Sequence, residues 1–307
     1  MSQGYRPMTE NPTNWAAIVG RWSFNGEQVT YLGTGDQEAK NSFGICVTNV
    51  ELTEGTISCR TRLADSTVEG KVLLGYRSPT ERYILAGLLG WKNAYSIGEY
   101  DPSLGWRSLV VAGNAENLLP NQWYTQTLEL NGQRLRVSVD NVRVLQHVLK
   151  APVSGQVGLF AWGNNSVEFE SFTVERRPGR VFVVMQFSEP YQQLYQEVIR
   201  PVVEGFKMRP YHVGEVFGPG LILQDIAQGI VESEIVIAEI TPVNQNVFYE
   251  LGYAHALGKP TILLAERGRQ LPFDVSGYRV LMYDNSIAGK RQIEDGLKKH
   301  LGAILRN

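Results

Sequence analysis

The 307-residue chain is long enough for two domains, and its hydrophobic fraction of 43% is typical of a globular protein. Its formal net charge of -2 at pH 7 predicts no charged surface that would bind nucleic acids or membranes. The sequence has two cysteines, Cys46 and Cys59, and neither an apolar N-terminal stretch nor an apolar run of about 18 residues, so we expect a cytoplasmic protein without a transmembrane helix.

The first half of the chain carries the pattern of short β-strands. All six tryptophans lie before residue 165, which separates this half from the rest. Stretches rich in β-branched and aromatic residues, bounded by Gly, Pro, Asn or Asp, cover residues 55–63, 70–78, 82–90, 123–130, 135–141 and 167–175. With no amphipathic helix between them, they predict an antiparallel sandwich. In the segment LELNGQRLRVSV, Asn131-Gly132 predicts the tight turn of a hairpin.

After a polar joint at residues 175–180, the pattern changes to alternating strands and helices. The predicted strands cover residues 181–187, 208–212, 234–240, 261–265 and 279–283. The predicted helices cover residues 191–205, 221–232 and 245–257, and a last one starts at about Lys290. This alternation predicts a doubly wound parallel sheet that binds ligands at the carboxyl ends of its strands.

The helix predicted at residues 245–257 has residues that favour its start and its end, and its apolar residues share one face. Thr241 or Asn244 can cap its start, and Gly258 with Lys259-Pro260 ends it. At 100° per residue, the face expected to pack on the sheet consists of Val247, Phe248, Leu251, Ala254 and His255.

Glu250 falls in the sector beside that face, together with Asn246 and Tyr253. A carboxylate at the edge of a buried face is partly desolvated yet open to the strand ends, a position that suits a nucleophile or a group that stabilises an oxocarbenium ion. The alternative is that the helix serves packing alone and Glu250 is a solvated surface charge.

Three segments carry a resemblance to a known superfamily: NVFYELGYAHALGKPTIL, the upstream VFVVMQFSEPY, and the acidic position before Thr241. Over residues 181–305 the chain resembles TIR-like and nucleoside 2-deoxyribosyltransferase-like domains. The resemblance implies a flavodoxin-like fold and cleavage or transfer at N-glycosidic bonds of NAD or nucleosides. The catalytic Glu of these domains lies in the helix after the third strand, which by position is Glu250. The chain departs from the family where it has Glu239-Ile240-Thr241 instead of Asp-Leu-Thr, and Gln186 instead of Pro.

Residues 15–175 carry a second resemblance. The ending GQVGLFAWGNNSVEFESFTV, after NQWYTQTLELNGQRLRVSVDN, resembles the last strands of concanavalin-like jelly rolls of the laminin-G and glucanase types. Such modules imply a carbohydrate or protein ligand. The glucanase acid cluster ExDxxE is absent from the sequence, so we interpret residues 1–175 as a binding or assembly module. The tryptophans can stack on sugar rings, although aromatic residues at strand spacing more often belong to the core.

Candidate substrate-binding residues surround Glu250 at the predicted strand ends. They are Phe187, Ser188, Glu215, Glu239, Thr241, Asn244, Asn246 and Tyr253. If the reaction requires a proton donor, the candidates are Glu239, Glu215 and Asp225. The four histidines show no metal-ligand spacing with the cysteines, so we expect no metal.

The chemistry of the leaving group favours one substrate. Nicotinamide in NAD is already cationic and leaves without a proton, so a single carboxylate suffices. A base that leaves a deoxynucleoside benefits from a donor. We therefore expect residues 181–307 to hydrolyse or cyclise NAD+, with NAD as substrate and no cofactor, in bacterial antiphage defence and under the control of homo-oligomerisation. A nucleoside 2-deoxyribosyltransferase and a non-catalytic nucleotide-binding module remain as alternatives.

Overall fold

The structure is a computed structural model that describes residues 8–12, 14–33, 42–186, 188–212, 222–241, 243–272, 275 and 277–305. The chain divides into two compact units. The first comprises Met1–Leu149 and Val153–Arg177, and the second comprises Lys150–Pro152 and Pro178–Asn307.

The N-terminal unit is built of antiparallel strands. Their bounds are β1 (Met8–Glu10), β2 (Trp15–Val19), β3 (Trp22–Asn25), β4 (Gln28–Tyr31), β5 (Phe43–Glu51), β6 (Gly55–Leu63), β7 (Glu69–Tyr76), β8 (Tyr83–Leu88), β9 (Asn93–Asp101), β10 (Gly105–Asn114), β11 (Trp123–Asn131), β12 (Arg134–Val139), β13 (Val142–Val148), β14 (Gln156–Trp162) and β15 (Val167–Arg176). One sheet has the order β13-β12-β11-β6-β15-β4-β3, with β1 paired to β15. The other has the order β10-β9-β8-β7-β14-β5-β2.

The core of this unit lies between the two sheets. Because side chains alternate along a strand, each sheet turns one set of apolar residues inward. Val72 and Leu74 of β7 belong to the same buried cluster as Ile57 of β6. Cys46 on β5 and Cys59 on β6 are buried in this cluster as free thiols. The predicted antiparallel sandwich is confirmed.

The predicted hairpin between β11 and β12 forms, but its turn lies one residue later than expected. Asn131 pairs with Arg134, so the loop residues are Gly132 and Gln133. Gly132 has φ 54°, the positive value that the first residue of a type II′ turn requires. Asn131 instead remains in the ladder as the last residue of β11.

The C-terminal unit contains one five-stranded parallel sheet. Its strands are β16 (Arg180–Val184), β17 (Arg209–Tyr211), β18 (Ile235–Glu239), β19 (Thr261–Glu266) and β20 (Val280–Tyr283), in the order β17-β16-β18-β19-β20. Its helices are α1 (Tyr191–Leu194), α2 (Arg200–Gly205), α3 (Ile222–Val231), α4 (Gln245–Ala256) and α5 (Ile287–Ile304), and a π-helical turn, Tyr195–Ile199, joins α1 to α2. Buried clusters lie on both faces of the sheet, which confirms the doubly wound architecture.

Two helices differ from the sequence-based expectation. The helix predicted at residues 191–205 widens into a π turn just before Pro201, since a proline inside a helix lacks the N–H and crowds the carbonyl four residues earlier. The last helix starts at Ile287, a turn before the predicted Lys290, because the Ser286 hydroxyl accepts a hydrogen bond from the Gly289 N–H (3.1 Å) and caps it. Among the described residues, no helix is long and apolar enough to cross a membrane.

Candidate active site at the carboxyl edge of the parallel sheet

Three neighbouring strands of the parallel sheet each end on a polar side chain. They are Glu239 on β18, Glu266 on β19 and Tyr283 on β20. Parallel strands bring their carboxyl ends to one edge, so residues distant in sequence meet there. The Tyr283 hydroxyl donates to one Glu239 oxygen (3.1 Å), and the Thr241 N–H donates to the other (3.0 Å).

Glu239 is almost completely shielded from solvent, with 1% exposure. Burial disfavours its charged form and raises its pKa to about 8, although the hydrogen bonds from Thr241 and Tyr283 act in the opposite direction. Burial, together with the nearby Glu239, also raises the pKa of Tyr283. At neutral pH Glu239 is therefore mostly a neutral carboxylic acid, which can both donate and accept a hydrogen bond.

Thr241 ties the end of β18 to β19. Its hydroxyl accepts a hydrogen bond from the Glu266 N–H (3.0 Å), and its side chain is buried. Both the hydroxyl and the N–H of Thr241 are thus engaged with residues at the edge of the sheet. This geometry fixes the backbone that leads from β18 toward α4.

Asn244, and not Thr241, is the residue that caps the start of α4. Its Oδ1 accepts from the Asn246 N–H (2.9 Å). Its Nδ2 donates to Gln186 Oε1 (3.3 Å), and Gln186 Nε2 in turn donates to Ser188 Oγ (2.8 Å). The structure therefore joins Ser188, Gln186 and Asn244 at the end of β16.

Glu250 lies in the second turn of α4, about 8 Å along the axis from its first residue. The side chains of Val247, Leu251 and Ala254 are buried against the sheet, and Glu250 is half-buried beside them. Burial raises the pKa of Glu250 to about 7. The group therefore titrates near neutral pH, where a carboxyl group on an exposed surface would be fully ionised.

The other residues of the predicted site are less closely connected. Tyr253 is half-buried and packs against the cluster under α4, whereas Asn246 is exposed. Asp225 is half-buried in the first turn of α3. Phe187 and Glu215 lie outside the described residues.

Glu239 and Glu250 belong to opposite faces of the sheet. Along β18, Ile235 and Ile237 pack with the α1, α2 and α5 layer, whereas Val236 and Ala238 pack with α3 and α4. Strand alternation places Glu239 with the first set, away from the helix that carries Glu250. A ligand could reach both groups only around the carboxyl edge of the sheet.

The face on which Glu239 lies also carries a cleft of about 210 Å³ at the ends of β19 and β20. Its lining includes Tyr191, Glu266, Tyr283, Ser286 and Lys290. The sequence prediction did not include these side chains, although a polar residue at the end of an apolar strand marks Glu266 and Tyr283. In the described part of the chain, no group of three or more His, Cys, Asp or Glu side chains could hold a metal ion.

The similarities of this chain to known proteins are to solved structures. No family model matches the chain, and no curated protein matches its sequence. Among solved structures, the carbohydrate-binding module CBM66 from Bacillus subtilis is similar over 53% of this chain and 97% of its own, with 16% identity and a TM-score of 0.46.

Two glucanases show similar coverage. The Bacillus licheniformis β-glucanase matches 57% of this chain and 100% of its own, with 12% identity and a TM-score of 0.40. A prokaryotic β-1,3-1,4-glucanase (lichenase) derived from a mouse hindgut metagenome matches 56% and 99%, with 13% identity and a TM-score of 0.39. The chain joins an antiparallel β-sandwich to a parallel α/β unit.

Proposed function

We propose that the C-terminal unit cleaves the nicotinamide–ribose bond of NAD+ and that Glu250 is its catalytic residue. The observation that carries this proposal is a half-buried carboxyl group on the helix that follows β18, with a pKa of about 7. A partly desolvated carboxylate stabilises positive charge far better than one in water. The resemblance of the segment NVFYELGYAHALGKP to TIR-like domains supports the same residue.

In the proposed reaction, the bond between the ribose C1′ and the nicotinamide nitrogen breaks, and its electron pair leaves with neutral nicotinamide. The ionised Glu250 carboxylate stabilises the oxocarbenium ion that remains. Water then adds to C1′ and gives up a proton, so NAD+ and water yield ADP-ribose, nicotinamide and one proton. Addition of a nitrogen of the adenine ring instead of water would give a cyclic ADP-ribose product.

The placement of Glu239 supports NAD+ over a deoxynucleoside as substrate. Nicotinamide needs no proton to leave, so the reaction requires only the carboxylate of Glu250. Glu239 faces the other layer of helices and is held by Tyr283 and Thr241. A one-carboxylate mechanism therefore fits the two faces of the sheet better than a mechanism in which both groups act on one bond.

The test is to incubate the full-length chain with NAD+ and to follow nicotinamide release by chromatography. Glu250→Gln should abolish release, whereas Glu204→Gln, at an exposed position of α2, should leave it unchanged. Because the ionised form is active, kcat/KM should fall as the pH drops below about 7. Equal release by Glu250→Gln and wild type would remove this residue from the mechanism.

A second candidate, deoxyribosyl transfer, is favoured by one observation: Glu239 is mostly protonated at neutral pH and could give a proton to a leaving base. Such an enzyme would exchange the base of a deoxynucleoside, and its rate would also fall above about pH 8 as Glu239 ionises. A non-catalytic nucleotide-binding module would hold NAD+ unchanged in calorimetry. We further propose that the N-terminal unit controls activity through self-association. The rate of nicotinamide release per protein molecule should then rise with protein concentration.

A further inference from the structure

The cleft at the ends of β19 and β20 is not used by the proposed cleavage of NAD+. Its lining includes Val198 and Ile293, which belong to the buried cluster on the side of α1, α2 and α5. Glu250 is carried by α4, whose apolar side chains pack on the other face of the sheet. The carboxyl edge of a parallel sheet is where such folds bind ligands. The cleft is therefore a candidate site for a second ligand.

The Tyr191 hydroxyl in this cleft is buried without a hydrogen-bond partner. The residue is 8% exposed and lines the cleft. The Tyr283 hydroxyl donates to Glu239 (3.1 Å), whereas no residue in the described part of the chain pairs with the Tyr191 hydroxyl. Burial, with the nearby carboxyl groups of Glu239 and Glu266, raises the pKa of Tyr191, so its phenol is neutral and can accept a hydrogen bond. A buried polar group without a partner costs free energy, which a bound donor would recover.

Carboxylates outnumber cationic groups in the lining of the cleft. The charged side chains of the lining are Glu197, Glu266, Asp284 and Lys290. The Lys290 ammonium lies 3.3 Å from a Glu197 oxygen, so these two charges balance each other. Asp284 is more than half exposed and pairs with Arg267, which does not line the cleft. Glu266 is therefore the carboxylate whose charge acts inside the cleft.

One oxygen of Glu266 remains available to a ligand. Arg269 Nε donates to Glu266 Oε2 (3.2 Å), and among the described residues no donor pairs with Oε1. The Arg269 side chain is 63% exposed, so solvent screens its attraction to Glu266, whose side chain is 23% exposed. Glu266 follows Ile262 and Leu264 in the alternation of β19 and thus lies on the same face as Tyr191. The cleft therefore presents two acceptors, a carboxylate oxygen and a phenol oxygen, beside an apolar wall.

We propose that this cleft binds an aliphatic primary ammonium ion. The ammonium group donates to the Glu266 carboxylate and to the Tyr191 hydroxyl, and the hydrocarbon chain packs against Val198 and Ile293. An anionic ligand is disfavoured because it meets the carboxylate of Glu266, and a cation without N–H groups leaves the Tyr191 hydroxyl unpaired. The volume of about 210 Å³ is below the range of pockets that hold drug-sized molecules, so it suits a short alkyl chain.

The experiment titrates the full-length chain with n-butylamine at neutral pH and about 0.15 M salt, and measures binding by saturation-transfer NMR. n-Butanol and butyrate keep the hydrocarbon chain but replace the ammonium by a neutral or an anionic group. Tetramethylammonium keeps the positive charge but has no N–H donor. Butylammonium should bind more tightly than the other three probes. Absence of butylammonium binding, or equal or tighter binding of any other probe, would overturn the proposal.

Two conservative variants test the two acceptors separately. Glu266→Gln removes the charge and Tyr191→Phe removes the hydroxyl alone, and each should weaken the binding of butylammonium by about tenfold or more. The matched controls are Glu204→Gln and Tyr249→Phe, at exposed positions of α2 and α4, and both should bind as the wild type does. Circular dichroism melts verify that all four variants fold. Unchanged binding by either Glu266→Gln or Tyr191→Phe would contradict the proposed contacts.

A fifth variant separates this cleft from the site proposed for NAD+. Glu250 is also a partly desolvated carboxyl group, and it lies on the other face of the sheet. Glu250→Gln should therefore bind butylammonium as tightly as the wild type does, whether or not it still releases nicotinamide. Loss of butylammonium binding in Glu250→Gln would place the ligand at that residue and refute the assignment to the cleft.

Discussion

Replacing the buried Glu239 by glutamine should change how the stability of the C-terminal unit depends on pH. The glutamine amide keeps an oxygen that can accept from the Thr241 N–H or the Tyr283 hydroxyl, so the packing at the end of β18 is preserved. The substitution removes the titrating proton alone. Its effect therefore isolates the energetic consequence of burying this carboxyl group.

The magnitude follows from the shift in pKa. Burial raises the pKa of Glu239 from 4.5 to about 8, so over this range the folded state holds a proton that the unfolded chain has released. Stability is then greatest below about pH 4.5 and declines until the pH passes about 8. Between about pH 5.5 and about pH 8.5, this linkage lowers the free energy of unfolding by about 3 kcal/mol in the wild type. Glu239→Gln should lack this decline.

Urea unfolding at several pH values measures this difference. All six tryptophans lie in the N-terminal unit, so their fluorescence follows that unit, whereas circular dichroism at helical wavelengths follows the C-terminal one. As the pH rises, Glu239→Gln should become more stable than the wild type in the unfolding transition followed by circular dichroism. The transition followed by fluorescence should be the same for both proteins. Glu204→Gln, at an exposed site, should follow the wild type. Parallel profiles for wild type and Glu239→Gln would refute the reasoning.

Two other substitutions probe the same unit through the same pair of signals. Leu251→Ala opens a cavity between α4 and the sheet, because this side chain is 2% exposed. It should lower the free energy of unfolding, followed by circular dichroism, by about 2–5 kcal/mol. An unchanged unfolding midpoint would contradict this packing. Lys259→Met removes an ammonium that donates to the carbonyls of Val231 (2.8 Å) and Ser233 (2.5 Å). It should lower the free energy of unfolding by about 1–3 kcal/mol, because those buried carbonyls lose a partner. A neutral effect in denaturant titrations would show that water replaces the lysine.

The sequence predicted the fold because the two halves of the chain have different periodicities. Strands buried on both faces give continuous apolar runs, such as Ile235, Val236, Ile237 and Ala238 of β18. Because amphipathic helices separate these runs, the pattern predicts a parallel sheet. Local details were less predictable. The turn at Gly132 is set by the register in which Asn131 pairs with Arg134, and the start of α5 by the hydrogen bond from the Gly289 N–H to the Ser286 hydroxyl.

In the candidate site, too, local features were predictable from the sequence and contacts between distant residues were not. The phase of α4 is a local property, and the half-buried position of Glu250 follows from counting 100° per residue. The environment of Glu239 is not local, because its partner Tyr283 is 44 residues away and meets it only through the order of the strands. The sequence therefore predicted Glu239 beside Glu250 in one site, whereas the two residues lie on opposite faces of the sheet.

That separation places the two carboxyl groups of one strand and its following helix in unlike environments. Burial raises the pKa of Glu250 to about 7 and that of Glu239 to about 8. Glu239 also accepts hydrogen bonds from Tyr283 and Thr241, and it is almost completely buried, whereas Glu250 is half-buried. The hydrogen bond from Tyr283 to Glu239 links β20 to β18 at the edge of the sheet, whereas the role proposed for Glu250 is to meet the developing cation. In the proposed mechanism Glu250 therefore acts on the substrate, whereas Glu239 stabilises the edge of the sheet.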